Sequence, residues 1–198
     1  MRLVSAISVK EPVPIVLFAN GRRDERIFRG IASKYNHKKT LLSPQIPRVT
    51  GLAILETFAR LVEMTEVTVF VIIIDREHIR EEERLLYWLN GYGFKARIVS
   101  KRNSLLKMIC ERGPKSVVLY IVLLGYTEKG NIEENLSELI KLISGEEVKP
   151  DKVSIASWLK KKRMRDVDVV MRASKSQLEK AFQPIIDLLR ELERNNST

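Results

Sequence analysis

Asp75 and Glu77 close a nearly unbroken apolar run, Val67 through Ile74, that is rich in β-branched side chains. A run without polar alternation reads as a strand buried on both faces, the habit of a parallel sheet covered by helices. Asp75 then falls at the carboxyl edge of that sheet, where open α/β folds place their ligands. The two acids are two residues apart, so in extended chain their carboxylates point the same way. Two carboxylates on one rim can hold Mg²⁺ or Mn²⁺, which take carboxylate oxygen and water. Acids here equally suit the first turn of a following helix, and these residues alone do not separate the two uses.

Three other stretches carry candidate chemistry. Ile15 to Ala19 reads as a strand, Asn20-Gly21 as its turn, and Arg22 to Ala32 as a helix with Ile27, Phe28 and Ile31 on its apolar face. Asp24 suits an N-cap or the first turn. A strand, a glycine turn and a helix start present backbone N–H groups to an anion, and Gly21, Arg22 and Arg23 would meet phosphate there. An ordinary turn beside a solvated basic helix has the same pattern. After the apolar strand Ser116 to Leu124 comes Gly125 to Gly130, with Asn131 able to cap a helix whose first turn holds Glu133 and Glu134. Either acid can complement the helix dipole or join Asp75 in a carboxylate site. Lys160-Lys161-Lys162-Arg163 is the densest basic run; it suits a solvated helix end or, beside Trp158, a grip on a phosphate backbone.

The elements that must position these residues alternate. Met1 to Glu11 gives an irregular lead-in or edge strand, punctuated by Pro12 and Pro14. His37-Lys38-Lys39 leads into a short strand at Thr40–Ser43, and Pro44 and Pro47 make the next loop irregular. A helix over Gly51–Met64 buries Leu52, Leu55, Phe58, Ala59 and Val62. A charged helix over His78–Asn90 turns Ile79, Leu85, Leu86 and Leu89 to the sheet, and Phe94–Val99 is a strand. Ser104–Glu111 is expected to be a short helix stopped by Gly113-Pro114. The alternation predicts a mainly parallel sheet flanked by helices, with Asn20, Asp75 and Glu133 around one rim. Gly145 and Pro150 mark a boundary, dividing a core of 1–144 from a helical C-terminal extension of 145–198. In the extension, Asp151 caps a helix over Lys152–Lys162, Asp166–Met171 is a short strand or loop, and Ser174–Arg194 is one amphipathic helix. Asn195–Thr198 should fray.

Composition sets outer bounds. At 198 residues the chain can bury a real core, and no apolar stretch reaches the roughly 18–20 residues of a membrane-spanning helix. The opening residues lack the apolar region and cleavage site of a secretory signal. With Cys110 alone, an intramolecular disulfide and a cysteine-built zinc site are both excluded. A cytoplasmic setting fits these features. The formal charge of +10 favours anionic partners, nucleic acid first and a membrane surface second. The same bias toward Ile, Val, Lys, Arg and Glu is typical of thermophilic proteins, where the charges form ion-pair networks.

Together the stretches resemble the Toprim fold, the metal-binding domain of topoisomerases, bacterial primases and OLD-type nucleases, and in particular its small stand-alone members in archaea and bacteria. Asn20-Gly21-Arg22-Arg23-Asp24 stands where that group ends its first strand in Glu-Gly-Lys-x-Asp. Asp75-Arg76-Glu77 stands for the later Asp-x-Asp, and Ile132-Glu133-Glu134-Asn135-Leu136 for an Ile-Glu-Asp-Leu-Leu segment. Asp151-Lys152 through Leu159 and the Ala181-Phe182-Gln183-Pro184 segment are similar as well. The resemblance implies a Mg²⁺- or Mn²⁺-dependent protein acting on nucleic acid or another phosphodiester, with Asp75 and Glu77 catalytic and Asp75, Glu77 and Glu133 around the metal. The departure is Asn20, where the family carries the acid assigned as general acid/base. Asparagine accepts a hydrogen bond but cannot ferry a proton or add negative charge. The site is therefore either a weak or degenerate nuclease or a non-catalytic nucleic-acid-binding or regulatory module. An enzyme must recover an acid from elsewhere.

Overall fold

A computed structural model describes residues 1–4, 13–35, 39–45, 49–79 and 81–194. Pro12, His37, Lys38, Pro47 and the tail Asn195–Thr198 lie outside the described residues. In chain order the elements are β1 (Arg2–Val4), β2 (Ile15–Phe18), α1 (Arg22–Ser33), β3 (Thr40–Leu42), α2 (Ile54–Met64), β4 (Val69–Asp75) and α3 (Glu82–Gly91). They continue with β5 (Lys95–Arg102), β6 (Leu105–Arg112), β7 (Lys115–Leu124), α4 (Ile132–Ser144), α5 (Lys152–Lys162), α6 (Asp166–Arg172), α7 (Lys175–Ala181) and α8 (Gln183–Arg194). Single 3₁₀ turns precede α2 (Gly51–Ala53) and follow β4 (Arg76–His78).

Among the described residues the seven strands form one sheet in the order β1-β3-β2-β4-β7-β6-β5. The pairs from β1 across to β7 are parallel, and β7-β6-β5 closes as an antiparallel meander. The three strands bearing candidate residues, β2, β4 and β7, are therefore neighbours running the same way, and their carboxyl ends share one rim. β4 sits at the centre. Phe70, Ile72 and Ile74 of β4 pack with α2 and α3 on one face, while Val71 and Ile73 pack with α1, α4, α6 and α8 on the other. A strand covered twice has no use for polar side chains, which is why its sequence shows no alternation. By the same two-residue period, Asp75 falls in register with Val71 and Ile73, toward α1 and α4.

Two expectations fail in the middle of the chain. Ser104–Glu111 is not a helix: residues 105–112 form β6. Arg102 pairs with Leu105 across Asn103-Ser104, and Arg112 pairs with Lys115 across Gly113-Pro114, so both connections are two-residue hairpins. Each opens on a residue with positive φ, 52° at Asn103 and 57° at Gly113. The Gly-Pro that looked like a helix stop is thus a strand reversal. Leu106, Met108 and Cys110 bury at the period of a strand between β5 and β7.

The carboxyl-terminal third differs too. Residues 166–172 form helix α6 rather than a strand or loop, buried through Val169 and Val170. Val170 packs so close to Gly30 that an added methyl there would lie 3.1 Å from its Cγ1. The single helix expected over Ser174–Arg194 is broken at Phe182, because Pro184 has no N–H to give the preceding turn. The carbonyl of Ala181, left open by that break, accepts from Tyr126 Oη at 2.7 Å and Asn135 Nδ2 at 2.8 Å. Asn131 and Asp151 cap α4 and α5 as their positions suggested, accepting from Glu133 N and Ser154 N.

Candidate functional site

β2, β4 and β7 deliver their ends to one rim, and the chain leaves each end differently. β2 passes through Asn20 to Gly21, whose φ of 103° suits glycine alone, and α1 begins at Arg22. Asp24 is therefore the third residue of the helix and not its cap. It is 2% exposed and turned toward the rim. β4 ends at Asp75, whose Oδ1 accepts the backbone N–H of Ile132 at 3.0 Å. That bond ties β4 to the start of α4 and leaves Oδ2 outside it. β7 leaves through a loop in which Gly125 (φ 91°) and Gly130 touch: a methyl on Gly125 would lie 2.2 Å from the Gly130 carbonyl carbon. Glu77 N donates to Gly130 O at 3.2 Å, fixing this loop against the turn after β4.

The two acids of α4 separate by role. Glu134 serves the loop: its carboxylate accepts Tyr126 N at 2.6 Å, Thr127 N at 3.1 Å and Thr127 Oγ1 at 2.6 Å. Its partial burial opposes ionisation, but these donors hold its carboxyl below the usual range. Glu133 turns inward, is 2% exposed, and accepts Arg23 Nη1 at 2.8 Å. Arg23 also reaches Asp166 of α6 at 3.4 Å, and Arg26 Nη2 meets the same carboxylate at 3.0 Å.

Four carboxyls thus cluster at the rim: Asp24, Asp75, Glu77 and Glu133. Burial, followed by the charge of Glu133, pushes the Asp24 carboxyl up to about 7, with Arg23 and Asn20 pulling the other way. Burial and then the charge of Asp24 push Asp75 up to about 8; the Ile132 N–H opposes this, and Glu133 and Glu77 add to it. Asn20 lies near enough to ease Asp24 slightly, yet Asn20 Nδ2 and Asp24 Oδ2 both sit buried without a well-formed hydrogen bond. Two unsatisfied buried polar atoms side by side are costly unless something else completes them.

Asp75, Glu77 and His78 each offer one ligand atom, and these atoms lie within 4.8 Å of one another. Two carboxylates and an imidazole are a workable donor set for a divalent transition ion. The His78 Nε2 is 3.7 Å from Glu77 Oε1, and its ring lies against Gly51, where an added methyl would come within 3.0 Å of Nδ1.

Of the residues singled out from the sequence, the structure brings Asn20, Gly21, Arg23, Asp75, Glu77 and Glu133 to one rim. Arg22 starts the adjacent helix and is exposed. Lys160, Lys161, Lys162 and Arg163 are exposed at the end of α5, with Lys162 bonded to Glu146 and its Nζ 5.8 Å from the Trp158 ring centroid. Arg163 precedes Asp166 by three residues, so their Cα atoms lie within roughly 11 Å of each other. Three residues were missed. Asp24 was readable as the acid three positions after the glycine turn, and His78 as the neighbour of Glu77. Asp166 carries no local signal, because its partners lie 140 and more residues away. Comparison with protein-family models, with curated proteins and with solved structures returns no match.

Proposed function

We propose that this protein is a Toprim-like, divalent-metal-binding protein that acts on nucleic acid or a related phosphodiester, with weak or degenerate nuclease activity. The observation that carries this reading is the convergence of Asp75, Glu77 and His78 within 4.8 Å at the carboxyl end of the central strand. Asp75 and Glu77 hold the cation, with Glu133 beside them; the His78 imidazole favours Mn²⁺ over Mg²⁺, which prefers an all-oxygen shell. A cation bound there supplies Lewis-acid polarisation of a phosphoryl oxygen. Asp75 gives up its proton to bind it. Asn20 cannot move a proton, but Asp24 stands beside it with a carboxyl at about 7, suited to general acid or base work near neutrality. Asp24 is the acid recovered from elsewhere. Gly21 and Arg22 face the phosphate, and Lys160 through Arg163 extend the basic surface. Residues 145–198 are read as a helical extension that reaches back to this site through Asp166.

One observation favours the second reading, a non-catalytic nucleic-acid-binding or regulatory module. Arg23, which reaches the rim acid Glu133, is shared between Glu133 and Asp166, so this arginine is already engaged without a ligand. Cleavage of labelled single- and double-stranded substrates with Mn²⁺ separates the two. Slow cleavage lost in Asp75→Ala and in Asp24→Asn supports the enzyme. Cleavage that survives Asp75→Ala refutes it, and metal binding with no cleavage assigns the module.

A further inference from the structure

On the face of the sheet opposite α1 and α4, a cleft of about 690 Å³ opens between the turn 50–53 and helix α3. Trp88, Tyr92, Arg84, His78 and Glu77 line it. The volume is within the ~300–1,000 Å³ of ligand pockets. Arg84, Trp88 and Tyr92 are spaced by four, so they form one stripe along α3 while Leu85 and Leu89 bury against the sheet. The Trp88 and Tyr92 rings lie 6.3 Å apart and 29° from parallel, giving a nearly continuous aromatic platform. Trp88 remains 38% exposed. Among the described residues Arg84 makes no hydrogen bond or ion pair. At the inner end the cleft meets Glu77 and His78, which are also two of the three clustered donors at the rim.

We infer that this cleft is a stacking subsite for single-stranded nucleic acid, in which a base lies on the Trp88–Tyr92 platform, Arg84 meets its phosphate, and the adjoining phosphodiester is led to the rim acids. The choice of ligand class rests on the phosphodiester reading above. The exposed Trp88 ring beside the half-buried Tyr92 ring, with an arginine that no described residue pairs, suits a base and its phosphate, because every base has a π-face and stacking is tolerant of sequence. A duplex keeps its bases stacked inside and cannot present one to the rings. The charge of +10 supplies the long-range attraction that the strand's backbone needs. Gly51 borders the same cleft, and a methyl added there would lie 3.0 Å from His78 Nδ1, so a side chain at this position would push the His78 ring aside by a few tenths of an ångström.

The test is made without metal, so that it stands apart from the metal reading. The chain has two tryptophans, and in a Trp158→Phe background Trp88 is the only tryptophan, so excitation selective for indole reads it alone. A short labelled oligothymidylate, its duplex and thymidine monophosphate are titrated in chelator, reading anisotropy and Trp88 emission. The single strand should bind and quench Trp88. Trp88→Leu should weaken binding about tenfold, the scale of one lost base stack, while Trp88→Phe stays within about threefold. Binding without quenching, equal affinity of Trp88→Leu and Trp88→Phe, duplex or mononucleotide binding as tight as the strand, or no binding at all would each overturn the inference. Strand binding and quenching by a protein that takes up no Mn²⁺ supports the cleft while refuting the metal centre. Mn²⁺ uptake without quenching does the reverse.

Discussion

Replacing Asp24 by asparagine should make the metal-free protein more stable in alkali. The Asp24 carboxyl rises from 3.8 in an open chain to about 7 in the fold, with burial the leading cause and Glu133 the second. At ~1.36 kcal/mol per pH unit, a fully ionised Asp24 costs the folded state on the order of 4 kcal/mol relative to the unfolded chain. The sign follows from proton uptake. Between about 4 and about 7 the folded state holds a proton that the unfolded chain has lost, so the stability tied to this group is complete below about 4 and disappears as pH rises through about 7. Asparagine keeps the shape and never ionises. Asp75 follows the same course up to about 8, and the two acids raise one another, so the variant also relieves Asp75 and the effects do not simply add. In chelator, the wild type should lose several kcal/mol from about pH 5 to about pH 9. The variant should lose roughly 2–4 kcal/mol less, a gain in Tm of roughly 5–15 °C at the alkaline end for a chain of this size. Near pH 4 the two should agree to within about 1 kcal/mol. Thermal and urea unfolding across this range reads the difference directly. Parallel pH slopes, or a wild type that is the more stable at high pH, would refute the burial and coupling assigned to Asp24.

Two further substitutions probe the rim. Asn20→Glu adds an acid beside Asp24, so in chelator stability should fall by roughly 1–2 kcal/mol and recover with Mn²⁺, with a larger Mn²⁺-induced rise in Tm than the wild type. Melting with and without Mn²⁺ checks this, and an unchanged response would place residue 20 off the metal. Asp166→Asn releases Arg23 and Arg26 from a buried carboxylate; stability should fall by roughly 1–3 kcal/mol, reduced by the partial exposure of both arginines. The freed charges should tighten oligonucleotide binding and steepen its salt dependence by roughly one phosphate contact. Weaker binding would show that the pair orders the site rather than masking it.

What was legible in the sequence is what local pattern alone decides. Val67 through Ile74 read as a strand covered on both faces, which the structure bears out over Val69–Asp75, and its polar end at Asp75 located the rim. Asn131 and Asp151 announced their helices because a cap acts within one turn. The hairpin of β5 and β6 was not legible, because Leu105-Leu106-Lys107-Met108 fits helix or strand and only the two tight turns and the neighbouring β7 decide it. Asp24 suited an N-cap or the first turn, and it does lie in the first turn of α1; that the fold buries it there is not written in that spacing. The Arg23–Asp166 pair and the Trp88–Tyr92 cleft depend on how α6 and α3 dock, which no spacing encodes.

The central claim is that Asp75 anchors a metal at the end of β4, and calorimetric titration with Mn²⁺ tests it most directly. At about pH 7.5, in two buffers of different ionisation heat, wild-type protein should bind Mn²⁺ and release protons, because Asp75 at about 8 must ionise to ligate. Binding and proton release should both disappear in Asp75→Asn. Mn²⁺ uptake that persists unchanged in Asp75→Asn, or no uptake by the wild type at any pH up to about 9, would contradict it.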